Sequence, residues 1–186
     1  FTEALRGLVE AIGVDAVRRA AGASTRVLRR VIPALGPVGP SDEDGTLAQS
    51  QLFEAVLALV RRVSEDLPLV LVVEDVHWAD GSTRDLLLHL AHNLRDARVL
   101  LVVTSREDEV GADHPLRPVL QRLRREPTTR TVALSALDEA DVALLLESLL
   151  AAPPRRDELQ EVVRRANGSP FFVEELVAAA RDGAPW

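Results

Sequence analysis

Two five-residue aliphatic runs, Leu69 to Val73 (LVLVV) and Val99 to Val103 (VLLVV), constrain the fold more than any other feature of this sequence. Each is too short for an independent helix and rich in Val, which favours a pleated backbone. Continuous apolar runs of this length are the pattern of parallel strands buried on both faces. Between them Leu86, Leu87, Leu90 and Leu94 recur at helical spacing. A strand, a helix and a second strand in that order imply a parallel pair with a right-handed crossover. A helical segment from about Pro115 to Arg125, with proline in its first turn, leads to a weaker third run, Thr131 to Leu134. The expectation is an α/β fold: a β-α-β-α-β parallel sheet with helices on both faces.

The flanks read as helical. Phe1, Leu5, Leu8 and Ile12 recur at helix spacing, Gly13 and Gly22 punctuate, and Val27, Leu28, Val31 and Ile32 form a stripe ended by Pro33. Gly36 to Gly45 is dense in Gly, Pro and acid, which reads as a loop. A long helix from about Leu47 to Ser64 follows, with Leu52, Val56, Leu59 and Val63 as its stripe. Ser82 and Asp85 have the spacing of a capping box for the helix after the first strand. Beyond Asp138 only helices are expected. Asp138 caps one running to about Leu150, Asp157 caps one running to Ala166, and Asn167-Gly168 stops it. Ser169-Pro170 starts the last, with Phe171, Phe172, Leu176 and Val177 as core residues. The chain divides into a helical N-terminal segment and loop (1–45), an α/β core (46–135) and a small helical part (136–186).

In an open parallel sheet, ligands sit beyond the carboxyl ends of the strands. The first run ends in Glu74-Asp75 and the second in Thr104-Ser105-Arg106. If the runs are neighbouring strands, these groups share one rim. A divalent cation with an anionic ligand completes such a set, because carboxylates hold the ion or its waters and Arg clamps phosphate. The structural alternative is an Arg106 to Asp75 ion pair that plugs the sheet end. Other candidates are weaker. His89 and His92 fall three apart on one helix without a third metal ligand at convincing spacing. Trp78 reads as a half-buried residue after the strand, with base stacking as the alternative.

The residues from Leu69 to Asp80 (LVLVVEDVHWAD) resemble the Walker B segment of the ATPase module in large LuxR-type transcriptional regulators, signal-transducing relatives of the AAA ATPases. LLVVTSRED (Leu100 to Asp108) resembles that family's next strand, where a polar residue and an Arg sense nucleotide phosphates. RRANGSPFFVEEL (Arg164 to Leu176) resembles the Gly-x-Pro segment of its helical lid. The likeness covers roughly Leu47 to Arg181 and implies a partial P-loop NTPase-like sheet followed by a lid. It implies ATP and Mg²⁺ bound, in an intact parent, between core and lid. Glu74 would lie near the Mg²⁺ shell, Asp75 would polarise the attacking water, Ser105 and Arg106 would read the phosphates, and Pro170 would contact the base. Many relatives have Asp first in the acidic pair. Here Glu comes first, which leaves the division of labour between Glu74 and Asp75 open.

Composition matters most at one residue type. All 22 cationic side chains are Arg, so the chain has no Lys. A phosphate-binding loop G-x-x-x-x-G-K-[ST] is therefore absent in every register, as are Schiff-base chemistry and Ser-Lys dyads. The absence of Cys removes thiol catalysis and disulfides and fits a reducing, cytoplasmic location. With no Met at its start, the chain reads as a fragment that begins after the P-loop, binding no nucleotide by itself. Without the P-loop strand, the sheet is expected to show a gap, a rearrangement or pairing with a second copy. A net charge of −7 argues against direct nucleic-acid binding. No apolar run approaches the ~18 residues of a membrane helix. Expected partners are neighbouring domains of the parent chain and a second copy of itself, with DNA reached only through a separate downstream domain. The parent would act as a nucleotide-dependent switch. The alternatives are a degenerate interaction scaffold, or an ATPase module fused to a cyclase or kinase.

Overall fold

A computed structural model describes residues 1–38, 45–184 and 186. Most of the loop expected over 36–45 lies outside the described residues. The chain forms two compact units, Phe1–Thr131 and Val132–Trp186.

In the first unit, α1 (Thr2–Ile12) and α2 (Val14–Ala21) meet at Gly13, whose φ of 84° gives the corner a conformation that side-chain-bearing residues rarely adopt. A single 3-10 turn and the short α3 (Thr25–Leu28) follow, then α4 (Gly45–Asp66), β1 (Leu69–Val73), α5 (Gly81–Asn93), β2 (Val99–Val103) and α6 (Arg117–Arg125). Val56, Leu59, Val60 and Val63 of α4 are buried in one cluster with Leu5, Val17 and Leu28 of the first three helices, Leu86 and Leu90 of α5, and Leu94 just after it. A second cluster joins Val73, Val76, Leu87, Leu116, Val119 and Leu123. Arg98 and Arg61 tie helix ends to this core. Arg98 Nε donates to the Ser64 carbonyl at 3.0 Å, and Arg61 donates to the Asn93 carbonyl. Both satisfy carbonyls that the last turn of a helix leaves free.

β1 and β2 pair in parallel, from Leu69 beside Val99 to Val73 beside Val103. Both strands occupy the expected residues. Their burial alternates, however. Leu69, Leu71, Val99 and Leu101 pack on the helices, while Val70 and Leu100 are 65% and 60% exposed. Side chains of a strand point alternately to opposite faces. The described helices of this unit cover the odd-numbered face, so the expected burial of both strand faces is not observed. The third strand over Thr131 to Leu134 is also absent. Residues 131–138 hold no strand or helix, and Val132 and Leu134 are 78% and 91% exposed. Two isolated apolar side chains bury too little to offset the entropy of ordering the segment. Among the described residues the sheet is two-stranded.

Helix starts differ slightly from the sequence reading. Asp80, not Ser82, caps α5, accepting from the Thr83 N–H at 2.7 Å. The helix expected from Pro115 begins at Arg117, with Pro118 in its first turn.

The second unit is three helices: α7 (Glu139–Leu150), α8 (Arg156–Ala166) and α9 (Pro170–Arg181). Asp138 caps α7 as expected, accepting from the Asp141 N–H at 2.9 Å. Arg155 rather than Asp157 occupies the cap of α8. The core is Val142, Leu146, Val162, Ala166, Val173 and Val177. Phe171 and Phe172 stack edge-to-face on each other and are exposed, contrary to the expectation that they are core. In α9 the inward stripe is set by Val173 and Val177, four apart, which turns the residues just after Pro170 outward.

Candidate functional site

The parallel register brings Glu74-Asp75 and Thr104-Ser105-Arg106 to one rim, as the sequence implies for neighbouring strands. The ladder continues past both strands. Thr104 N–H donates to the Val73 carbonyl at 3.1 Å, and Val76 N–H donates to the Thr104 carbonyl at 3.0 Å. Asp75 N–H donates to Thr104 Oγ1 at 3.0 Å. These bonds hold Asp75 in the left-handed region, at φ 50° and ψ 44°. Asp tolerates this conformation better than most residues, but it is still uncommon outside glycine. Such strain persists only where surrounding bonds over-determine it. Here it turns the chain sharply, so that Val76 and His77 enter the core while Glu74, Asp75 and Trp78 stay in solvent.

Arg106 does not plug the sheet end. Its guanidinium faces Glu109 at 3.5 Å and Asp108 at 4.0 Å. Glu74 has no side-chain partner among the described residues, and Asp75 Oδ1 lies 3.8 Å from His77 Nδ1. The rim thus presents two exposed carboxylates beside a guanidinium that weak surface contacts hold. Trp78 is 77% exposed, not half-buried. Its ring centroid lies 5.4 Å from that of His77. Two shallow grooves, of about 360 and 430 Å³, lie elsewhere, beside α2 and the end of α4 and beside α3 and α4.

Pro170 belongs to the second unit, where it is the first residue of α9. The turn before it is tightly built. Gly168 has φ 72°, and its carbonyl accepts the Leu137 N–H at 2.8 Å. A Cβ on Gly168 would lie 2.6 Å from the Leu137 carbonyl oxygen and 2.7 Å from Ala136 Cβ.

Three rim residues carry more than sequence spacing reveals. Thr104 binds Asp75 and Val76, and its position directly after the second aliphatic run was the only signal for it. Glu109 holds Arg106 from a loop without any periodic pattern. His77 is a polar side chain buried between the two loops. His89 and His92 do not share a ligand. His89 Nε2 lies 3.4 Å from Glu54, and His92 Nδ1 lies 3.3 Å from Glu126. No group of three or more metal-ligating side chains gathers among the described residues. Exposed carboxylates such as Glu74 and Asp75 are of the type that can hold a hard divalent cation or its waters. Among the described residues, no helix is long and apolar enough to cross a membrane.

Comparisons with known proteins fit this geometry. A family model described as AAA ATPase domain matches residues 1–103, which include both strands and the acidic pair. The chain is also similar to an uncharacterized protein of Rhizobium meliloti (strain 1021), with 31% identity over 154 residues. That alignment takes in 81% of this chain but 14% of the Rhizobium protein, so the chain spans a small part of its relative's length. No solved structure matches.

Proposed function

Since the chain belongs to the AAA ATPase domain family, we propose that its strand-end rim is one wall of an ATP·Mg²⁺ site in a regulatory module. The single observation that carries this is the pairing of β1 with β2, which sets an exposed acidic pair beside an Arg free of them. Glu74 and Asp75 would hold Mg²⁺, which when bound neutralises phosphate charge. One of these carboxylates orients the attacking water and takes its proton. Ser105 and Arg106 bind the phosphate oxygens, with Arg106 leaving Glu109 to do so. Pro170, at the start of α9, is proposed to contact the base. The phosphate-binding Lys must come from outside this sequence, because the chain has none. The whole protein is read as a LuxR-type transcriptional regulator in which nucleotide state toggles assembly. That finer assignment rests on the likeness of Leu69 to Asp80, Leu100 to Asp108 and Arg164 to Leu176. DNA is contacted through another domain, and the module's partners are its neighbours in the chain and a second copy of itself. The cyclase- or kinase-fused alternative differs only in the flanking domains.

Equilibrium binding of ATP tests the proposal in this chain and in one extended upstream to include a phosphate-binding loop. This chain alone should bind no tighter than millimolar. The extended chain should bind in the micromolar range of working ATPases, hydrolyse ATP, and lose hydrolysis but not binding on Asp75→Asn. Micromolar binding by this chain alone would refute the shared-wall assignment. Failure of the extended chain to bind would favour the scaffold reading, which the missing Lys also suits.

A further inference from the structure

Between the two rim loops lies a side chain that the nucleotide proposal does not use. The His77 side chain is 2% exposed. It stands on the short 3-10 turn Val76–Trp78, directly after the strained Asp75. Its Nδ1 accepts the Arg106 backbone N–H at 3.4 Å, which assigns the ring hydrogen to Nε2. Nε2 has no hydrogen-bond partner among the described residues, yet it lies 3.4 Å from Glu109 Oε2. The other oxygen of that carboxylate faces the Arg106 guanidinium at 3.5 Å. One imidazole therefore holds the backbone of Arg106 and faces the carboxylate that holds its side chain.

A buried donor without an aligned acceptor is unfavourable and calls for a reason. Packing alone is satisfied better by an apolar side chain at this place. The reason lies in what Glu109 does when Arg106 leaves it. Its carboxylate then loses the contact with that cation, while the Nε2–H of His77 already lies 3.4 Å from its other oxygen.

We propose that His77 is a positioning residue for Arg106. It locks the loop after β1 to the loop after β2 through Nδ1. Through Nε2–H it takes over the Glu109 carboxylate when Arg106 turns to an anionic phosphate. The lock is independent of any ligand. The hand-over rests on the nucleotide proposal, with Arg106 as the phosphate-reading group.

The lock is tested first on the wild-type chain by long-range ¹⁵N–¹H correlation of the imidazole, which should show the hydrogen on Nε2. The hydrogen on Nδ1 would overturn the proposal whatever the variants do. Amide exchange of Arg106 comes second. His77→Asn keeps an acceptor near the Nδ1 position and should leave the Arg106 amide protected. His77→Phe should speed its exchange about tenfold, one ordinary hydrogen bond. A folded His77→Phe chain with unchanged Arg106 protection would refute the lock. For the hand-over, the extended chain carrying His77→Asn should lose preference for ATP over ADP while still binding ADP. Retention of that preference would overturn the hand-over. Absence of nucleotide binding in the unmutated extended chain would remove the nucleotide proposal and the hand-over with it, and leave the lock decided by the imidazole and amide data.

Discussion

At the Gly168 turn each local feature answers a structural demand, whereas the exposed groups at the Glu74-Asp75 and Arg106 rim answer almost none. Gly168 is required by its positive φ and by the nearness of Leu137 and Ala136. Asn167 ends α8 in the left-handed conformation, and Pro170 occupies the first position of α9, where its missing N–H is harmless. The rim is different. Among the described residues Glu74 and Asp75 are exposed and paired with no Arg, and the Arg106 guanidinium meets only Glu109 and Asp108 of its own loop. What structure does demand there is the scaffold beneath: Thr104, Val76 and His77. A motif can thus be explained by packing in one unit and left exposed, with no structural demand on its charges, in the other.

The sharpest way to break this contrast is Gly168→Ala. Positive φ costs roughly 1–2 kcal/mol and the overpacking typically about 1–3 kcal/mol, so a loss of about 3 kcal/mol is expected. Urea unfolding followed through Trp186, which packs on the core of the second unit, measures it. A near-neutral result would remove the structural account of the turn.

Thr104→Val comes next. It deletes the acceptor of the Asp75 N–H and should cost about 1 kcal/mol, with faster amide exchange at Asp75. Unchanged exchange would mean that Asp75 keeps its conformation without Thr104.

Asp80→Ala removes the α5 cap and should also cost up to about 1 kcal/mol. The Thr83 backbone N–H, then its hydroxyl, hold the Asp80 carboxyl below its ordinary value. A depressed folded value means that the stabilisation is present above the unfolded value, near about 4, and fades as pH falls through the folded one. Melting temperatures of wild type and variant should therefore differ at neutral pH and converge in acid. A constant gap would rule out the carboxylate as the cause.

The smallest stability effects belong to the rim itself. Glu74→Gln and Asp75→Asn should each change stability by no more than about 0.5 kcal/mol. Asn is as tolerant as Asp of the left-handed conformation. A thermal melt showing a loss above about 2 kcal/mol would mean that the acidic pair is a structural plug after all, and the contrast with Gly168 would disappear.

Much of the fold was legible because its signals are local. The two aliphatic runs became β1 and β2 residue for residue, Gly13 and Gly22 broke the first helices, and Asp138 capped α7. The rim was legible too, since two parallel strands of equal length in simple register align whatever follows each. Less was legible where a side chain has to choose between partners or faces. Spacing could not say that Arg106 turns to Glu109, that Trp78, Phe171 and Phe172 face solvent, or that Thr131 to Leu134 stays irregular.

By itself the sequence determined β1, β2 and the main helices, where α7 is capped and α8 ends, and that no Lys is present to hold phosphate. These follow from backbone preference and composition, which act within a few residues. Only the tertiary structure decided which face of β1 and β2 is covered, that His77 is buried between two loops, and that the acidic pair pairs with no Arg among the described residues. Each of those depends on groups distant in sequence meeting in space, and burial or charge pairing is settled only when they do.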